Sequence, residues 1–278
     1  MVAPGRSGRP GAGAPVLEPA TPEVLEACPF CEGREDRTPP EVLALPSKGR
    51  RADAPGWQVR VVPNKYPAFD HQEVVIHSPE HRRSIAELDD VQLELVAEAW
   101  RLRSEAARES GSPYVFAGVN EGRAAGASLQ HTHSQLVWLR DEPPAAAAEH
   151  AEGDCRVCGY LRRERSEGTR VVEERGGLVL LCPFASRSPY ECLVAPLEHE
   201  SDGFASERLG AALALAAGAL RRLHAVDEPR PANLWLHEAG HWHLEVLPRL
   251  TVFAAVELGS GLYVNTLAPE EAAQALRG

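Results

Sequence analysis

The order of sequence features is the same in the two halves of the chain. Each half begins with a Cys-x-x-Cys pair, first at Cys28–Cys31 and again at Cys155–Cys158. Each half closes with a His-x-His segment and an apolar run, at His131–His133 and at His241–His243. Such repetition limits the architecture more strongly than any single motif, because each copy must build the same kind of unit.

Hydrophobic patterns between these landmarks predict matching elements in both halves. Amphipathic helices are expected at Leu88–Ala106, capped by Asp89, and at Leu209–Leu223. Short β-branched and apolar runs predict strands on either side of each helix. These runs are Val59–Val62, the segment before His81, Tyr114–Asn120, Ser134–Leu139, Arg170–Glu173, Leu178–Leu181, the segment before His199, Asn233–Leu236 and His243–Leu247.

This element order predicts an α+β fold of two tandem repeats, each an antiparallel sheet with a packed helix, and the two sheets are expected to pack together. We place the first domain at residues 1–145 and the second at 146–278. The stretch 141–154, with two prolines followed by alanines, is the natural connection. Residues 1–20, rich in Gly, Pro and Ala, are expected to be poorly ordered, and residues 32–56 to form a long loop.

Composition narrows the class of protein. The 278 residues carry 29 basic and 40 acidic side chains, a net charge of -11, which argues against nucleic-acid binding through a general basic surface. The sequence shows no apolar run near the roughly 20 residues that span a bilayer. The N-terminus lacks the apolar core of a secretory signal, so we expect a cytoplasmic protein without membrane contact. In a reducing cytosol, paired cysteines indicate metal ligands or redox centres.

Cys28, Cys31, His81 and His131 form the first candidate metal site. Thiolates and imidazoles are the ligands that zinc prefers, and four of them leave no open position for water. The site would therefore be structural. A redox-active or merely solvated cysteine pair is the alternative.

The second half offers the corresponding set of Cys155, Cys158, His199 and His241. The repetition is the argument for a second zinc ion in addition to the first. His237 and His243 are rival fourth ligands, and cysteines that persist only by descent are the alternative.

The run Asn120–Gln135 carries the candidate chemistry. Its small residues let the backbone approach a ligand, and successive N–H groups there suit phosphate oxygens. Alternation in a strand puts His131, His133 and Gln135 on one face. One imidazole cannot both bind zinc and attack phosphorus, so His131 would bind metal, His133 would be the nucleophile and Gln135 a hydrogen-bond donor. On spacing alone, three metal ligands or surface residues are an equal alternative.

The segment Gly126–Gln135, with Thr132 in place of the usual proline, resembles the signature of the galactose-1-phosphate uridylyltransferase family. That family is a two-unit branch of the histidine-triad superfamily, close to the sugar-nucleotide phosphorylases. The resemblance runs from Val2 to about Ala273 and implies a homodimer. It implies that His133 becomes nucleotidylated and that zinc is bound by Cys28, Cys31, His81 and His131. Phosphate contacts are implied for Gln135, Ser128, Gly126, Arg6 and Arg9. Asn120 would contact the reacting phosphates, Asn64 the nucleoside and Glu257 the hexose.

The resemblance implies transfer of UMP or another nucleoside monophosphate between sugar 1-phosphates through a nucleotidyl-His133. The partners would be a nucleotide sugar and a sugar 1-phosphate. One alternative keeps the enzyme but uses inorganic phosphate as acceptor, as an ADP-glucose or dinucleotide phosphorylase does. The other is a nucleotide-binding zinc protein without turnover. The best-known uridylyltransferases lack the second Cys-x-x-Cys pair, and their second metal site uses other ligands.

Overall fold

One antiparallel sheet of ten strands organises the protein. The computed structural model describes residues 1–8, 14–149 and 155–278. The strands are β1 Leu43–Leu45, β2 Val59–Pro63, β3 Gln72–Ile76, β4 Tyr114–Glu121, β5 His133–Leu139, β6 Val171–Arg175, β7 Leu178–Leu181, β8 Cys192–Pro196, β9 Ala232–His237 and β10 His243–Pro248. Their order across the sheet is β1-β2-β3-β5-β4-β9-β10-β8-β7-β6.

The halves of the chain meet at the centre of this sheet. Strands β4 and β9 pair antiparallel, with Asn120 opposite Asn233 and Gly118 opposite Trp235. From one edge to the centre the order is β1-β2-β3-β5-β4, and from the other edge it is β6-β7-β8-β10-β9. The two halves therefore arrange their five strands in the same order. The prediction of two sheets packed on each other is therefore wrong, because the two half-sheets join edge to edge through backbone hydrogen bonds.

Two long helices cover one face of the sheet. They are α2 Asp90–Glu109 and α5 Leu209–Val226, and both confirm the predicted helices. Asp89 caps α2 by accepting the N–H of Gln92 at 2.8 Å. The apolar residues of α2, including Trp100, lie on one face of the helix and pack in the main hydrophobic core, as expected for an amphipathic helix on a sheet.

Helix α5 is apolar around most of its circumference. By length and composition it could cross a membrane, although the sequence analysis expected no apolar segment of that length. However, 61% of the helix is buried inside the protein. Its contacts are with α2, β8 and β10, so its composition is explained by its place in the core.

Shorter elements cover the opposite face. In the first half, α1 Pro22–Ala27 leads into the first Cys-x-x-Cys, and Phe30 packs with Val62, Val74 and Ile76 of the sheet. In the second half, α4 Arg156–Glu167 starts at the second Cys-x-x-Cys and packs Leu161 against the sheet. The remaining helices are α3 Pro144–Ala147, α6 Ala255–Ser260 and α7 Pro269–Arg277.

Two expectations about irregular segments need correction. Residues 32–56 contain β1 and a 3-10 helix at Glu35–Arg37, so this segment is not only a loop. The described part of residues 1–20 includes a 3-10 helix at Pro4–Gly8, and Val2 bridges to Asn265. Short helix α3 lies in the expected connection 141–154. In the first two cases, long-range hydrogen bonds order a segment whose own composition does not.

Candidate active site

A glycine-rich loop joins β4 to β5 at the centre of the sheet. Gly122 and Gly126 adopt φ angles of 79° and 90°, which lie in the left-handed region that favours glycine. A 3-10 helix at Arg123–Ala125 lies between them. A side chain at Gly126 would meet the Asn120 Nδ2 atom at 3.9 Å, so the loop and the amide of Asn120 face each other.

Asn120 is held by a partner from the other half of the chain. The Nδ2 of Asn233 donates to Asn120 Oδ1 at 2.7 Å and to the carbonyl oxygen of Ala125 at 2.9 Å. The amide nitrogen of Asn120 is thereby turned away from β9. Asn233 was not singled out from the sequence; its place opposite Asn120 is set by the pairing of β4 with β9.

His133 is the first residue of β5 and is 5% exposed. Its Nδ1 lies 2.7 Å from the carbonyl oxygen of His131, so this nitrogen carries the proton and Nε2 has the free lone pair. Burial lowers the pKa of His133, and the bond to the His131 carbonyl opposes that shift. The expected alternation is incomplete, since His131 precedes the strand, but His133 and Gln135 share a face.

Gln135 is oriented by a second glutamine. Gln72 of β3 donates from Nε2 to Gln135 Oε1, and its own Oε1 accepts the N–H of Ala68 at 2.8 Å. With its carbonyl end occupied, Gln135 presents its amide nitrogen as a donor that no acceptor among the described residues engages. Asn64 begins the turn between β2 and β3, which also contains Ala68, and its Oδ1 accepts the N–H of Tyr66 at 2.9 Å.

The first Cys/His cluster lies directly beside His133. The Nδ1 of His131 is 3.4 Å from Cys28 Sγ and 3.7 Å from Cys31 Sγ, and the Nδ1 of His81 is 3.6 Å from Cys31 Sγ. The ligand atoms of all four residues lie within 4.8 Å of one another. The other ring nitrogen of His131 contacts the Ser78 carbonyl oxygen at 2.9 Å, which fixes the ring with Nδ1 towards the cysteines.

Two neighbours of this cluster were missed in the sequence. Phe30, between the two cysteines, packs edge-on against the rings of His131 and His133, with centroid distances of 6.0 and 5.3 Å. Glu121, at the end of β4, accepts the hydroxyl of Ser84 and the N–H of Ile85, and so ties the strand to the segment after His81. Burial raises the pKa of Glu121 to about 7.

A second cluster lies in the other half. His241 Nδ1 is 3.2 Å from Cys158 Sγ and 3.9 Å from Cys155 Sγ, and His199 Nδ1 is 3.4 Å from Cys158 Sγ. The Nε2 of His241 contacts the Pro196 carbonyl oxygen at 3.0 Å, as His131 contacts Ser78. The rivals His237 and His243 group instead with Glu149.

His243 occupies the position in β10 that His133 occupies in β5, but its surroundings are charged. Glu245 stands where Gln135 stands, and Arg187 forms ion pairs with Glu245 and Glu191. Burial alone would raise the pKa of Glu245, but the hydrogen bond from His243 and the charge of Arg187 lower it to about 2. A carboxylate in this place repels phosphate oxygens, whereas the amide of Gln135 attracts them.

The remaining predicted residues do not gather at His133. Arg6 and Glu257 line one cavity of about 290 Å³, bounded also by Arg230 and Val264, and neither His133 nor Gln135 borders it. Ser128 is exposed and borders a smaller cavity with Cys28 and His81. Arg9 lies outside the described residues. The sequence resemblance thus names residues that this single chain keeps apart.

Comparison with known proteins identifies the relatives of this chain. Residues 65–144 match the family model of the galactose-1-phosphate uridyl transferase N-terminal domain. ADP-glucose phosphorylase of Arabidopsis thaliana is 28% identical, across 90% of this chain and 81% of its own. Galactose-1-phosphate uridylyltransferase of Thermotoga maritima is 26% identical, with 93% of this chain and 91% of that protein aligned.

The fold supports the same relationship. A crystal structure of an ADP-glucose phosphorylase from Arabidopsis thaliana with bound ADP-glucose superposes with a TM-score of 0.81 at 25% identity, covering 99% of this chain and 94% of the other. Together with the matched N-terminal domain, these similarities extend over nearly the whole chain and relate the protein to the galactose-1-phosphate uridylyltransferase family.

Proposed function

We propose that this protein transfers UMP or another nucleoside monophosphate between sugar 1-phosphates through a covalent nucleotidyl-His133. The observation that carries the proposal is the 2.7 Å contact between His133 Nδ1 and the His131 carbonyl, which leaves Nε2 as the attacking atom. The relatives named above are enzymes of the nucleotidyltransferase kind, which favours this function over a nucleotide-binding zinc protein without turnover.

The transfer proceeds in two displacements. His133 Nε2 bonds to the α-phosphorus of the nucleotide sugar, and the bond from that phosphorus to the bridging oxygen breaks and releases the sugar 1-phosphate. A phosphate oxygen of the acceptor then bonds to the α-phosphorus, and the phosphorus–nitrogen bond breaks. The ring becomes positive while phosphorus is attached, and the His131 carbonyl stabilises that charge through the Nδ1 proton.

The donors around His133 match the charge that develops on the phosphoryl oxygens. The amide nitrogens of Gln135 and Asn120 are assigned to these oxygens, since each residue has its carbonyl end held by another amide. The loop with Gly126 and Ser128 is assigned to the phosphates, and Asn64 to the nucleoside. Phosphate binding by Arg6 and Arg9 and hexose binding by Glu257 stay predictions.

The first Cys/His cluster fits zinc by its donor set and its spacing. Zinc bonds of about 2.3 Å to sulfur and about 2.0 Å to nitrogen, at a tetrahedral angle, separate the two ligand atoms by roughly 3.5 Å. The three contacts of Cys28, Cys31, His81 and His131 measure 3.4–3.7 Å. Bound zinc would have a structural role here, because four protein ligands complete its shell.

We propose a second zinc site at Cys155, Cys158, His199 and His241, where the sulfur–nitrogen contacts span 3.2–3.9 Å. The matching contacts of His131 and His241 with backbone carbonyls support this pairing of the two clusters. They also support the proposal that residues 1–145 and 146–278 are tandem histidine-triad-like repeats, as does the shared strand order.

The acceptor defines a second candidate function. The similarity to an ADP-glucose phosphorylase over 90% of the chain favours inorganic phosphate in place of a hexose 1-phosphate. The test is the intact mass of the protein after incubation with UDP-glucose or ADP-glucose. We expect an added nucleoside monophosphate with one of them, removed by hexose 1-phosphate in the first function and by inorganic phosphate in the second. No adduct with either donor would contradict both functions.

We further propose that this cytoplasmic enzyme is a homodimer. Four large apolar side chains on and beside helix α6 are exposed, Val252, Val256, Leu258 and Leu262, and exposed apolar surface of this kind is typical of protein–protein contacts. Light scattering should give twice the chain mass of 30.1 kDa, and the double substitution L258E/L262E should give the chain mass. Val91, equally exposed on α2, supplies the control V91E, which should remain dimeric; a monomeric wild type would refute the proposal.

A further inference from the structure

Thr132, the residue between the two histidines, is held by hydrogen bonds on three sides. Its N–H donates to the Arg82 carbonyl oxygen at 2.6 Å, and its own carbonyl oxygen accepts the N–H of His77 at 3.3 Å. Its Oγ1 lies 3.1 Å from Nδ1 of His77. A proline at this position could form only the second of these bonds, because it has neither an N–H nor a hydroxyl.

His77 continues these bonds into the core. Its Nε2 lies 3.0 Å from the hydroxyl of Ser134, which also accepts the indole N–H of Trp100 at 2.7 Å. The four side chains joined by these hydrogen bonds are at most 2% exposed; they are Trp100, Ser134, His77 and Thr132. Burial lowers the pKa of His77 well below its ordinary value, so its ring is neutral.

These hydrogen bonds are consistent with one direction of donation. The indole of Trp100 can only donate, so Ser134 accepts from it, and we assign the proton of the Ser134 hydroxyl to the bond with His77 Nε2. A neutral imidazole has one N–H, and it is therefore at Nδ1, where it donates to Thr132 Oγ1. This series of hydrogen bonds thus links helix α2 to Thr132, which lies between the proposed metal ligand His131 and His133.

We propose that His77 and Thr132 are positioning residues for His133. They fix the backbone of residues 131–133, so that the His131 carbonyl stays aimed at the Nδ1 proton of His133 and Nε2 stays aimed at the substrate. Hydrogen bonds to His77 and Arg82 here supply the rigidity that a proline ring would supply. The inference rests on the proposed function of His133, although the orientation of that ring can be measured without substrate.

The test uses substitutions that remove selected side-chain hydrogen bonds in the full-length protein. Thr132→Val keeps the shape and the backbone N–H but loses the hydroxyl, and Thr132→Ser restores the hydroxyl. His77→Phe removes both ring contacts, and Thr169→Val is the control for the same change at an exposed site. Single-turnover adduct formation, dissociation constant of the nucleotide sugar, zinc content and the ring-nitrogen NMR shifts of His133 are measured for each.

For Thr132→Val and His77→Phe we expect adduct formation to slow by about 10- to 100-fold at unchanged substrate affinity, since small misplacements of a reacting group cost rates of this size. Combining the two changes should add little, because they remove the same interaction. Thr132→Ser and Thr169→Val should react like the wild type. In the slow variants the His133 shifts should leave those of a pure Nδ1–H tautomer.

A wild-type adduct rate in Thr132→Val with full zinc content would overturn the positioning role. If the wild type itself forms no adduct, the proposed function is wrong, and the NMR shifts of His133 then test the positioning role separately. His133 shifts that are identical in the wild type and in both variants would then overturn the inference.

Discussion

His133→Ala should lose nucleotidyl transfer by at least about 10⁴-fold, since removal of a covalent nucleophile costs effects of this order. Both displacements need the Nε2 lone pair, and Gln135 and Asn120 offer only amides. The measurement is label transfer from α-³²P nucleotide sugar to protein, followed by release with acceptor. Zinc content should equal that of the wild type, because His133 is not among the four residues of the first cluster.

His243→Ala is the matched control. His243 also follows a His-x-His pattern, starts a strand and has its Nδ1 3.2 Å from the carbonyl oxygen two residues before it. Its neighbour Glu245 is a carboxylate where the first half has Gln135, so it should not support phosphoryl transfer. Retained labelling in His243→Ala and lost labelling in His133→Ala place one reaction centre in the chain. Full labelling of His133→Ala would refute the assignment.

Sequence patterns predicted those parts of the fold that depend on local order. The helix after Asp89 and the strand after His133 were found because period and capping are short-range properties. Helix α4 was missed because half of its residues are charged and its buried residues are Leu161 and Glu164. Its start depends on Cys155, whose sulfur accepts the N–H of Cys158.

The supporting contacts of the site could not be read from spacing. Gln72 and Gln135 are 63 residues apart, and Asn120 and Asn233 are 113 apart. They meet because β3 pairs with β5 and β4 with β9, a register that depends on the whole sheet. Resemblance placed Arg6 and Glu257 at the reaction, whereas both line another cavity of the single chain.

Removal of one ligand from each Cys/His cluster should separate folding from catalysis. Cys28→Ser and Cys155→Ser are each expected to lower the zinc content seen by native mass spectrometry from two ions to one. Each should also lower the free energy of unfolding by several kcal/mol, because structural zinc binding in small peptides contributes on the order of 10 kcal/mol to folding. Cys182→Ala, at a buried cysteine outside both clusters, is the control for loss of a thiol and should keep both ions.

The two variants should differ in rate. Cys28 shares its cluster with His131, whose carbonyl oxygen holds the Nδ1 proton of His133, so a loosened His131 misdirects the nucleophile. Adduct formation in folded Cys28→Ser should fall by about 10- to 100-fold. Cys155 belongs to the cluster of His241, which lies on the far side of strands β4 and β9, and Cys155→Ser should react at the wild-type rate while melting at a lower temperature. Equal rate losses in both variants would mean that the metals act only through global stability; an unchanged zinc count in Cys28→Ser would mean that the first cluster is not a metal site.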